Sequence, residues 1–148
     1  MKLTVTTPTA IAVRRDGITH LRAEDPSGAF GILPGHADFL TALSVSVLAW
    51  RDGTGREEFC AVRGGVLTVG SGDTIAVATA EAVPGDDLAR LETEVLARFR
   101  RTESDEAGAR TGAQRLHWTA VRHMLGYLRA GRPPSDHALG DGFGGGLP

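Results

Sequence analysis

Cysteine is almost missing from this chain. Among 148 residues only Cys60 carries a thiol, so neither an intramolecular disulfide nor a cysteine-rich zinc site can form, and a reducing compartment suits that usage. Lysine is as scarce. Lys2 stands alone, which excludes a glycine-rich phosphate loop ending in Lys-Ser/Thr and any interior Schiff-base lysine. Charge imbalance is missing too. With a formal net charge of -2 there is no global basic field to hold a phosphate backbone or an anionic bilayer, so nucleic acid is not an expected partner. No apolar run approaches the ~20 residues that span a membrane. The opening residues 1–8 alternate like a strand and lack the apolar core of a signal peptide. The cytoplasm is the expected compartment, with membrane association only through a partner. Histidines stand at 20, 36, 117, 123 and 137, without the i, i+4 pair and adjacent glutamate of a zinc helix, so no metal is expected. Nothing resembling a nucleophile elbow accompanies Asp25, Asp38 or His36. No catalytic residue is assigned and no cofactor is expected.

What is present is ordinary for a soluble globular chain, 41% hydrophobic and 23% charged. Residues 1–84 repeat with period two. Turn signals punctuate them at Thr7-Pro8, Asp16-Gly17, Pro26-Ser27-Gly28, Pro34-Gly35, Asp52-Gly53-Thr54-Gly55, Gly64-Gly65 and Ser71-Gly72-Asp73. Many short antiparallel strands are therefore predicted, closing as a β-sandwich. Leu43, Val45, Val47 and Ala49 are expected on one face and Ser44, Ser46, Leu48 and Trp50 on the other. Likewise, Ile75, Val77 and Thr79 oppose Ala76, Ala78 and Ala80.

At Pro84-Gly85 the period becomes helical. Asp86 or Asp87 can cap a helix whose apolar stripe is Leu88, Leu91, Val95, Leu96 and Phe99. A polar break over residues 104–112 precedes a second helix over 113–129, with Leu116, Ala120, Val121, Met124, Leu125 and Leu128 inward. The expectation is a two-helix hairpin over residues 85–130. Residues 131–148 are Gly/Pro-rich and predicted to be disordered. Charge divides along this region. Residues 86–106 hold four arginines and seven acids, whereas residues 107–132 hold five arginines and no acid. Mutual attraction within the hairpin accounts for that split, and so does an arginine row offered to an acidic partner. Trp50 and Trp118 are each readable as core or as interface anchors.

The densest information lies in residues 28–41, Gly-Ala-Phe-Gly-Ile-Leu-Pro-Gly-His-Ala-Asp-Phe-Leu-Thr. Pro34-Gly35 favours a tight reversal with the glycine at positive φ. Ile32, Leu33, Phe39 and Leu40 are expected mostly in the core, while His36 either points into water or serves as a polar interface contact. With Arg63-Gly64-Gly65-Val66-Leu67-Thr68-Val69, these residues resemble the epsilon subunit of F-type ATP synthases, the central-stalk subunit of the F1 sector.

That resemblance implies a β-sandwich followed by two helices. By it, the sandwich binds the gamma subunit and touches the c ring, so that Phe30, Ile32, Pro34, Gly35, His36, Ala37 and Asp38 become partner-binding residues. The helices restrain ATP hydrolysis by engaging the alpha and beta catalytic subunits, a role for Arg115, Arg122 and Arg129. It also implies a place at the cytoplasmic face of the cell membrane, peripheral and through the c ring. An ATP-binding pattern of the family, Ile/Leu-Asp-x-x-Arg-Ala, is met at Asp87 and Arg90 but not at the apolar positions flanking them. Asp38 stands where proline is common, and this departure, with Arg22-Ala23-Glu24-Asp25, resembles the alternate ATP synthases of some bacteria. The coupling ion, proton or sodium, is left open. The rival expectation is a free-standing β-sandwich module for a small ligand or peptide; a small enzyme ranks below both.

Overall fold

A computed structural model describes residues 1–130. Its strands are β1 (Lys2–Thr6), β2 (Ile11–Arg15), β3 (Ile18–Asp25), β4 (Gly28–Ile32), β5 (Phe39–Asp52), β6 (Glu57–Gly70), β7 (Thr74–Ala78) and β8 (Ala82–Gly85). Every turn signal of the sandwich region falls at a connection between strands, Gly28 opening β4 and Asp52 closing β5, except Gly64-Gly65, which lies inside β6. The pairing order is β2-β1-β7-β6-β5-β3-β4, with β8 also on β6, and β1 runs parallel to β7.

Two long strands make this path a sandwich. Residues 66–70 of β6 pair with β7, whereas residues 59–62 pair with β8; residues 39–43 of β5 run beside the former and residues 49–52 pair with β3. The first layer is thus β2-β1-β7 with one half of β6 and β5, and the second is β4-β3 with the other halves and β8. Leu3, Val5, Val13, Leu21, Ile32, Leu67, Ile75 and Val77 fill the space between them.

The strands change sides where they change layers. Ladder pairing lapses at Ser44 opposite Gly64, between Leu43↔Gly65 and Val45↔Arg63, and Gly64 takes φ +66. Before this point Leu43 faces the core while Leu40 and Ala42 face out; after it Ser46, Leu48 and Trp50 are buried. The single face expected for Leu43, Val45, Val47 and Ala49 is therefore split, with Leu43 in the core and Val45 and Val47 on the outside of the second layer. Trp50 is core, 2% exposed, and its indole N–H donates to Glu58 at 3.0 Å. Arg15 and this indole hold the Glu58 carboxyl below its usual range. The face formed by Ile75, Val77 and Thr79 is buried as expected.

After β8 come α1 (Leu88–Arg90), a π-helical turn (Leu91–Val95) and α2 (Leu96–Ala130). Asp87 caps the first, accepting from the Arg90 amide at 3.2 Å. Leu91, Leu96 and Phe99 pack on Ala61, Val45, Val47, Phe59 and Val83, burying the outer face of the second layer. Charge reinforces that seat. Arg63 donates to Glu106 at 3.0 Å and Arg98 donates to Glu81 at 2.9 Å, while the buried Arg63 Nε stands 3.6 Å from Glu81, too far to bond.

The two-helix hairpin is corrected here to one helical region. α2 continues through residues 104–112 because that stretch has no proline, and Ala, Glu and Arg favour the helix enough to absorb Gly108 and Gly112, each about 1 kcal/mol worse than alanine. The chain divides into two compact units, Met1–Glu106 and a second from Ala107 onward. In the latter, Leu116, Met124, Leu125 and Leu128 are exposed, contrary to the inward stripe expected of them. The tail predicted to be disordered lies outside the described residues.

Candidate functional site

Register decides which residues share the outer face of the first layer. One row is Leu40, Thr68, Ala76, Thr4 and Arg14; the next is Ala42, Val66, Ala78, Thr6 and Ile11. Leu40, Ala42, Val66, Ala76 and Ala78 are exposed, and no charge interrupts the rows until Arg14 at the edge. The second layer covers its equivalent face with a helix. This one presents uncharged side chains to solvent, and within residues 1–106 no element packs over it. An uncharged and largely apolar face of this kind is suited to cover by another protein surface.

At one end of this face lies the loop of residues 33–38, which carries the chain from β4 in the second layer to β5 in the first. Leu33-Pro34-Gly35-His36 forms the predicted reversal, the His36 amide donating to the Leu33 carbonyl at 3.2 Å with Gly35 at φ +82. His36 neither projects freely nor lies buried. Its Nδ1 sits 2.7 Å from the Ala37 carbonyl, so that nitrogen carries the proton, and its ring packs edge-on against Phe39 with centroids 5.7 Å apart. Phe39 in turn meets Phe30 at 5.6 Å.

Ile32 is fully buried, as expected of a core residue and against the partner-binding role the resemblance gave it, because its side chain lies between the layers; Leu33 is 57% exposed, Phe39 37% and Leu40 70%. These three were expected mostly in the core. The reason is position: Leu33 lies beyond the last β4 pairing, and alternation turns Leu40 outward once Leu67 and Leu43 occupy the inside.

Other contacts fix the loop. Thr41 donates to Asp25 at 2.8 Å, joining the start of β5 to the β3–β4 turn. Bonds from Ser27 and then Thr41 hold the Asp25 carboxyl below the ordinary carboxylate range. Asp38 accepts from the Ser71 amide at 3.1 Å, and the Gly35 amide donates to the Gly72 carbonyl at 2.8 Å. Sequence reasoning missed Ser71 and Gly72. The only local signal was a Ser-Gly-Asp turn, and nothing local tells which distant loop a turn will meet.

The remaining candidates lie on the helices. Arg115 and Arg122 are exposed and pair with no other described residue; the backbone of Arg129 belongs to α2. Trp118, readable as core or anchor, is exposed. Asp87 is occupied as a cap and Arg90 lies 3.3 Å from Glu94, so both have local structural partners.

The model for "ATP synthase, Delta/Epsilon chain, beta-sandwich domain" matches residues 1–85. "ATP synthase epsilon chain 2" of Paraburkholderia xenovorans is 46% identical over 132 residues, 89% of this chain and 95% of that one. A protein of the same name from Cereibacter sphaeroides is 44% identical over 128 residues, covering 86% and 88% respectively. Among solved structures, a chain of the Euglena gracilis mitochondrial ATP synthase in rotational state 1, with OSCP, F1 and c-ring, superposes with a TM-score of 0.53. At 23% identity over 61% of this chain and 57% of that one, it is a likeness of fold alone.

Proposed function

Because the chain belongs to the ATP synthase delta/epsilon family, we propose that it is the epsilon subunit of an F-type ion-translocating ATP synthase, specifically of an alternate bacterial form. It catalyses nothing itself. As part of the central stalk it couples gamma to the c ring and modulates ATP hydrolysis. No described helix is long and apolar enough to cross a membrane, and the chain sits peripherally at the cytoplasmic membrane face through the c ring.

The observation that carries the gamma contact is the uncharged outer face of the first layer. Gamma occupies that face, and the loop of residues 33–38 at its end meets the c ring. Ala76 and Ala78 are exposed and central, so a charge there leaves the fold intact but is stranded under a partner. Ala78→Glu should weaken binding to gamma by about 100-fold, since an unpaired interfacial charge costs several kcal/mol. Size-exclusion chromatography with light scattering should find a one-to-one complex for the natural chain and separate peaks for the variant. A variant that still co-elutes one-to-one at low micromolar concentration removes gamma from this face.

Modulation of hydrolysis falls to α2. Arg115, Arg122 and Arg129 recur at seven-residue spacing, which keeps them near one side of a helix, facing acidic surfaces of the alpha and beta subunits. Replacing all three with alanine should raise ATP hydrolysis of the assembled complex several-fold without altering assembly. Unchanged hydrolysis removes that role. A folded-back hairpin bending at Gly108 and Gly112 is the second position of this segment, and small free-energy differences set its population. Asp87 and Arg90 are engaged within the helix, so regulatory ATP binding is not part of this reading.

A further inference from the structure

The loop of residues 33–38 and the turn between β6 and β7 are built as one object. Gly35 and Gly72 lie so close that a Cβ on Gly72 would come within 3.2 Å of the Gly35 Cα, and both residues take left-handed φ, +82 and +72. The Gly35 amide donates across this contact at 2.8 Å. Ser71, at φ +55, is the one non-glycine residue with positive φ among the described residues, and its amide donates to Asp38 at 3.1 Å. The β6–β7 turn is tied down on its far side as well, the Lys2 amide donating to the Asp73 carbonyl at 2.6 Å. Asp38 itself is exposed, so its carboxylate contributes no core packing.

We propose that Asp38 is a positioning residue for docking. By holding the Ser71 amide it locks the β6–β7 turn against the loop, so that Leu33 and the Ser71-Gly72 turn form one preset tip for the c ring. The identity of the partner rests on the function proposed above; the clamp rests on the geometry. A loop held in its bound shape loses less conformational freedom on association, and the gain shows as tighter binding with faster capture. Proline at residue 38 would restrain φ of that residue alone, whereas the carboxylate restrains two loops at once. The contact surface therefore extends beyond residues 30–38 to Ser71 and Gly72.

The test uses the full-length chain in complex with gamma, bound to immobilised, detergent-solubilised c ring, with association and dissociation recorded separately. Asp38→Ala should weaken binding by about tenfold, mostly through slower association, while binding to gamma stays unchanged. Asp38→Asn keeps an acceptor oxygen for the Ser71 amide and should restore the natural affinity. Gly72→Ala, which forces the two turns apart from the other side, should reproduce the loss. In the free chain, Asp38→Ala should also speed hydrogen exchange at the Ser71 and Gly35 amides and leave that of Leu67 unchanged. Natural affinity in Asp38→Ala overturns the clamp. So does an Asp38→Asn variant as weak as Asp38→Ala, for the carboxylate would then act as a charge upon the partner. If the unaltered chain with gamma fails to bind the c ring, the docking assignment itself falls, a result distinct from the other two.

Discussion

Gly65→Ala should leave the chain unable to fold its sandwich. A Cβ at this position would stand 2.1 Å from the Ala78 carbonyl oxygen and 2.9 Å from the Thr79 Cα, and the backbone holds φ at +115, where side chains are strained whatever the space. The neighbouring atoms are backbone of the paired strand β7 and the segment after it, so no rotamer change relieves the clash. The expected cost is about 4 kcal/mol or more, in the range reserved for steric and backbone failures combined. For a unit of this size that lowers Tm by roughly 20 °C or prevents soluble expression. Gly53→Ala is the control, since Gly53 has open space around it and no left-handed φ; its Tm should stay within a few degrees. Circular dichroism melts of the two variants decide the matter, and a Gly65→Ala melt matching the control would mean that β6 does not pass this point as described.

Phe99→Ala should detach the helix while sparing the sandwich. Phe99 is fully buried, with Ala61, Leu91 and Leu96 around it and the Arg98 guanidinium 5.3 Å from its ring centroid. Removing a buried phenyl ring costs about 3 kcal/mol or more. This cluster is separate from the core between the layers, so the loss is local. Hydrogen exchange at Leu96 and its neighbours should accelerate, and the Arg63–Glu106 and Arg98–Glu81 pairs should open with it. Trp50 reports on the other core; in a Trp118→Phe background its fluorescence should not change. Concerted loss of the Trp50 signal and of the helix would show that sandwich and helix fold as one cooperative unit.

The sandwich was legible because its information is local. Alternation at Ile75, Val77 and Thr79, the turn at Pro34-Gly35, and the stripe of Leu91, Leu96 and Phe99 each need only a few neighbouring residues to be read. What escaped depends on distant partners. The exchange of sides along β5 is set by Gly64, across the ladder, so Leu48 and Trp50 read as lying on the face opposite Leu43 until the pairing is known. Asp38 and Ser71 are separated by 33 positions, and neither has a local pattern announcing the other. The break expected over residues 104–112 failed for a different reason. Polarity and glycine argue for interruption, but without proline the backbone has no obstacle, and helix propensity prevails. Of the site, the reversal and the burial of Ile32 were readable; the exposure of Leu33, Phe39 and Leu40 and the second loop that completes the tip were not.

The course of β5 and β6 also bears on how the sandwich carries a load. Both strands run through both layers, and apart from the lapse at Ser44 and Gly64 they pair with each other from Phe39↔Val69 to Arg51↔Glu57. In a sandwich of separate sheets, shear is resisted only by side chains sliding across one another. Here the same displacement has to stretch a pair of continuous backbones, which yield far less. The tip and the outer face of the first layer therefore move together under load, and a push on one reaches the other with little slack.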